Sequence, residues 1–243
     1  MKYSAFDQGQ TPTIALINQA KNSLGIGVDI HGLTTALQLY VDKHFAPVWG
    51  TPCRLVVPRD GRVPKGAWAI VFLDSADVAN ALGYHDLTPE GLPLSKVFVR
   101  TTIAAGELVS VTASHELAEM LVDPALQLLA AAPNGWLYAY ETADAVEADA
   151  FKVNGLLMSN FVYPSWFEGF RKPRSTKFDH MGLCKRPFEI RPGGYMPVMR
   201  NGRWDQIFGS TAVRDAFRLN DHPRTHARSG AKKPKISRRA VAA

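Results

Sequence analysis

Residues 109–124 read VSVTASHELAEMLVDP, and the rest of the chain takes its meaning from them. Ser110 is a small hydroxyl residue suited to an N-cap. Asp123-Pro124 supplies a stop, because the residue before a proline is pushed out of the α region. Between these limits Val111, Ala118, Leu121 and Val122 recur at helical spacing, which predicts a short helix with one face in a core. On a neighbouring face His115 and Glu119 stand four apart, with Glu116 beside them. Side chains at i and i+4 of a helix can share a metal ion while the intervening Glu activates water, the logic of an HExxH helix. Here a Glu takes the second ligand position, giving HExxE. The bland alternative is an amphipathic helix whose His and Glu are solvated or bonded to each other.

The composition is that of an ordinary globular protein: 46% hydrophobic and 21% charged in 243 residues. That length suits one large domain, or one domain with an extension. No apolar run is long enough to cross a bilayer, so no membrane partner is expected. The N-terminal MKYSAFDQGQTPT lacks the apolar core of a signal peptide, so export is not expected. Cys53 and Cys184 are too few for a disulfide framework and lack CxxC spacing, which points to two reduced thiols. The net charge of +6 sits at one end: from Thr211 onward there are nine Lys/Arg against two Asp. Within that tail, Arg224 to Arg239 holds seven Lys/Arg with no acidic residue and no aromatic. Non-specific contact with phosphate or an acidic protein surface is the expectation, against the alternative of a disordered solubilising end.

Along the chain, apolar spacing predicts helices over Thr11–Leu24 and Leu33–His44, the second ended by Ala46-Pro47. Strands are expected at Cys53–Pro58, Trp68–Asp74 and Lys96–Thr102, with a Gly/Pro-rich loop over Ser75–Ser95. Asn154-Gly155 signals a hairpin turn. The stretch from Pro164 to Ser210 is dense in Gly, Pro and aromatics and reads as irregular β or loop. The expected fold class is α+β, with N-terminal helices, a mixed sheet and the motif helix over 1–165. A loop- and β-rich extension over 166–210 and the basic tail over 211–243 follow.

A zinc site needs at least three protein ligands, and the helix supplies two. In peptidases of the gluzincin kind the third is a downstream Glu, and Glu141 lies 22 residues beyond Glu119. Asp144 follows one turn later, suited to accept the free N–H of a ligating His. Asp123 competes as a ligand but also fits a turn before Pro124. His180 is open to a role as fourth ligand or transition-state donor, or to a structural one, while His31, His44 and His85 read as structural or exposed.

SHELAEMLVDP followed by YETAD resembles a zincin-type metallopeptidase site with a degenerate HExxE motif. The wider pattern of PVWG, WAIVFLD, LGYHDLTPEGLPLSKVFVRTT and SNFVYPSWF resembles uncharacterised zincin-like proteins encoded in bacteriophage genomes, over about half the chain. The resemblance implies a zincin-like fold, His115, Glu119 and Glu141 as metal ligands, and Glu116 as general base. It also implies a virion or phage-associated context, hence the particle or the host cytoplasm. Two carboxylates and one imidazole would neutralise Zn²⁺, weakening it as a Lewis acid and opening the site to Mn²⁺, Mg²⁺ or Ca²⁺. Two functions are therefore expected. One is a metal-dependent peptidase, active or vestigial, acting on a peptide or protein. The other is a non-catalytic component of a phage particle, assembled with virion proteins or copies of itself through the basic tail.

Overall fold

The computed structural model of the chain describes residues 11–77 and 81–210. Its first element, β1 (Thr13–Asn18), is a strand where the periodicity predicts a helix. Four consecutive residues of β1 are buried, so both faces are apolar and the alternation that betrays a half-exposed strand is missing. Helix α1 (Ile30–Tyr40) starts at Asp29, whose side chain accepts from the N–H groups of His31 and Gly32. It turns Leu33, Ala36, Leu37 and Tyr40 inward. A π turn (Val41–Phe45) carries it into α2 (Ala46–Trp49). Pro47 does not end the helix as predicted. It lies at the start of α2, directly after the π turn, and Gly50 at φ 71° makes the stop.

Strands β2 (Arg54–Val56) and β3 (Trp68–Leu73) fall where expected. Strand β4 (Gly83–Leu87) arises inside the predicted loop. Strand β5 (Pro93–Phe98) passes directly into α3 (Val99–Ala104), so the predicted Lys96–Thr102 strand is half strand and half helix. The motif helix is α4 (Val109–Val122). Its N-cap is Leu108, with no side-chain cap, and Ser110 lies buried inside the first turn.

These strands form one mixed sheet in the order β2-β1-β3-β5-β4. The first four run parallel to their neighbours, and β4 pairs antiparallel to β5 at the edge. Ile14, Leu16, Ile70, Phe72 and Val97 of the sheet share a core with Leu33 and Leu37 of α1 and Leu117 and Leu121 of α4. The fold class is α+β.

The remainder adds β6 (Leu129–Ala131), β7 (Leu137–Ala139) and a 3₁₀ turn (Asp144–Val146). The hairpin of β8 (Ala150–Val153) and β9 (Leu156–Ser159) turns at Asn154-Gly155, both at positive φ, as predicted. Strands β10 (Tyr195–Arg200) and β11 (Arg203–Phe208) join β7 and β6 in a second sheet, β11-β10-β7-β6. A second core of Tyr138, Trp166, Phe178, Met196 and Val198 lies with it. Both cysteines are buried with free thiols. Among the described residues no helix is long and apolar enough to cross a membrane. The basic tail lies outside the described residues.

Candidate metal centre

Twelve of the fourteen residues of α4 are buried, so the helix is enclosed on nearly every side. Such a helix is expected to be apolar all round, yet it carries His115, Glu116 and Glu119, each at most 4% exposed. Removing an ion from water costs several kcal/mol even after relaxation, so these groups need partners.

His115 is held at both ring nitrogens. Nε2 lies 3.1 Å from Glu119 Oε1 and 3.2 Å from Asp144 Oδ1, while Nδ1 lies 3.1 Å from Glu147 Oε2. Asp144, expected to accept the free N–H of a ligating His, lies against the same ring nitrogen as Glu119. Glu147, three residues further along the same acidic run, lies at the other ring nitrogen. The far oxygen of Glu119 looks the other way: Oε2 is 3.7 Å from His85 Nδ1. Glu116 Oε2 is 3.8 Å from the same nitrogen, and Glu141 Oε2 is 4.0 Å from His85 Nε2. His85, read from sequence as structural or exposed, is 2% exposed and belongs to this cluster. No spacing rule ties it to the motif, because its partners lie across the packing of sheet on helix rather than along the chain.

Among the described residues three sets of donor atoms each fall within 4.8 Å of one another: His85, Glu119 and Glu141; His115, Glu116 and Glu119; His115, Asp144 and Glu147. Glu141 is thus gathered with His85 and Glu119. Two ligands of a tetrahedral Zn²⁺ bound at 2.0–2.1 Å stand roughly 3.3 Å apart, close to the separations around His115 Nε2. The buried His, Glu and Asp groups could hold a metal ion.

The scaffold explains how these side chains meet. On β4, Gly83 and His85 are two residues apart and so share the face turned to α4. A Cβ at Gly83 would lie 3.0 Å from Glu116 Oε1 and 2.9 Å from the Lys96 carbonyl oxygen, so the glycine makes room for the Glu116 carboxylate. The acidic loop after β7 is fixed on three sides. Ala143 N–H donates to Glu119 Oε1 (3.4 Å), Val162 N–H to the Thr142 carbonyl (2.7 Å), and Arg191 N–H to the Ala145 carbonyl (2.8 Å). Gly194 closes the clamp, since a Cβ there would stand 2.4 Å from the Ala145 carbonyl oxygen.

Electrostatics pull His85 in two directions. Burial lowers its pKa, but the Glu141 charge, contact with Glu116 and the Glu119 charge outweigh it and leave the pKa raised. Asp123 serves the turn, its carboxylate accepting from the N–H groups of Gln127 and Leu128. His180 lies elsewhere, with His44 Nδ1 3.0 Å from its Nε2 and the Tyr163 hydroxyl 3.2 Å from its Nδ1, and stacks on Phe161. It enters none of the three donor sets. His31 is exposed and His44 half-buried.

Comparison with protein-family models, curated proteins and solved structures found no match for this chain.

Proposed function

We propose that the chain is a metal-dependent hydrolase of the zincin-like kind, acting on peptide bonds. The observation that carries this reading is that Glu119 Oε1 and Asp144 Oδ1 each lie 3.1–3.2 Å from His115 Nε2, in a buried cluster that also holds Glu116. Zinc, when bound there, supplies Lewis-acid polarisation of a substrate carbonyl and a more acidic water. His115, Glu119 and Asp144 would hold it, and Glu147 keeps the imidazole oriented from Nδ1. Glu116 carries the proton: its carboxylate takes one from the attacking water and returns it to the leaving amine. The edge position of β4 supports the peptide specificity, because an edge strand beside such a helix can take an extended backbone as an added strand.

One observation favours a second reading. His115, Glu116, Glu119, Glu141 and Asp144 are all at most 4% exposed, the enclosure expected of a structural metal site rather than one with an open position. In this reading the ion stiffens a scaffold without turnover, for example a component of a phage particle.

Metal content and proteolysis of a peptide library, measured on the same zinc-loaded preparations, separate the two. The parent should bind zinc and cleave. Glu116→Gln should retain the metal and lose about 10²–10⁴-fold in rate. Metal without cleavage in the parent would select the scaffold reading, and no metal at all would remove both.

A further inference from the structure

We propose that the cluster is built for two divalent cations, bridged by the carboxylate of Glu119. This rests on the reading that α4 holds a metal at His115, and adds a second position at His85. The two oxygens of Glu119 face two different imidazoles: Oε1 is 3.1 Å from His115 Nε2, and Oε2 is 3.7 Å from His85 Nδ1. A carboxylate split in this way is the natural bridge of a two-metal site, whose ions stand about 3.5–4 Å apart. The second position has its own donor set, since His85, Glu119 and Glu141 each place a ligand atom within 4.8 Å of the others.

His85 is the independent sign of a ligand. It is 98% buried on the face of β4 that meets α4, and neither ring nitrogen makes a hydrogen bond. Buried imidazole nitrogens are ordinarily hydrogen-bonded, and leaving them without a partner costs energy. The nearest carboxylate oxygens stand at 3.7–4.0 Å, too far for a hydrogen bond and a few tenths of an ångström wider than two ligands of one ion. A cation bound at one of these nitrogens would give it the partner it lacks and draw the oxygens beside it in.

Charge balance points the same way. Five carboxylates (Glu116, Glu119, Glu141, Asp144 and Glu147) gather around two imidazoles. Glu147 is a third exposed and the other four are buried; with the imidazoles neutral and the carboxylates ionised, one divalent ion leaves three formal negative charges on the cluster, and a second leaves one. One imidazole with carboxylate oxygens suits Zn²⁺ or Mn²⁺ at the second position.

The test uses the full chain, stripped with a chelator and reloaded with Zn²⁺ or Mn²⁺ alone. Elemental analysis should find two zinc ions per chain, and the Mn²⁺ form should give the exchange-coupled paramagnetic resonance spectrum of a close pair. His85→Gln, with circular dichroism as the folding check, should bind one ion and lose the coupling. Glu141→Gln serves as the second variant should His85→Gln not fold, with the same outcome. One ion per chain in the parent, or two with no coupling, would overturn the pair while leaving the His115 site standing. A coupled pair that survives both variants would overturn the assignment to His85. No bound ion would overturn the underlying reading as well.

Discussion

Ser114 shows how much of the site depends on a residue without charge. It precedes His115, and its Oγ accepts the Ser159 N–H at 2.8 Å while lying 2.9 Å from both the Ser110 and Val111 carbonyls. Replacing it with Ala would leave a buried N–H of β9 without its acceptor, worth about 1–3 kcal/mol. At roughly 2–4 °C per kcal/mol for a chain of this size, thermal melting of Ser114→Ala should fall by several degrees. His180, outside the three donor sets, carries a pH signature of its own. Burial, then the neighbouring His44 and Lys177, lower its pKa from 6.5 to about 4. The folded protein thus favours the neutral ring, so this group's stabilisation is whole above pH 6.5. It is lost as pH falls and gone below about pH 4. His180→Gln should therefore melt at a temperature that changes less between pH 7 and pH 4.5 than the parent's does. Half-burial keeps the difference below that of an enclosed ring.

At the scale of elements, the clamp on the acidic loop gives the sharpest expectation. A methyl group at Gly194 cannot coexist with the Ala145 carbonyl 2.4 Å away, so either the turn or the loop must shift. Gly194→Ala should destabilise the fold by about 1–3 kcal/mol, the usual cost of overpacking, and weaken metal uptake with it. Melting and zinc titration of the same preparation check both. The elements also show where sequence reading reaches its limit. Helix α4, strands β2 and β3, and the hairpin at Asn154-Gly155 were legible because each carries a local signal: a period, an apolar run, a turn dipeptide. Strand β1 was misread because TIALIN is buried on both faces, which erases its alternation. Strand β4 was missed because GYHDL is poor in β-branched residues and draws its order from pairing with β5. With β4 went His85. Its place in the cluster is a fact of tertiary packing, whereas His115, Glu116 and Glu119 were visible as one turn of helix.

For the whole molecule, the metal reading predicts a stability linked to the ion. Zinc held at 100 times its dissociation constant should add about 2.7 kcal/mol, so chelation should lower the melting temperature by roughly 5–11 °C. Calorimetry of loaded and stripped protein checks this, and identical transitions would count against a bound ion. The same architecture bears on how the chain is made. Glu119 leaves the ribosome 75 residues before Gly194, the residue that seals the loop carrying Asp144 and Glu147. At about 5–20 residues per second, that interval lasts roughly 4–15 s. Until that loop arrives Glu116 and Glu119 lack part of their enclosure, and charged residues set within an apolar segment are of the kind that oppose aggregation in an unfinished chain.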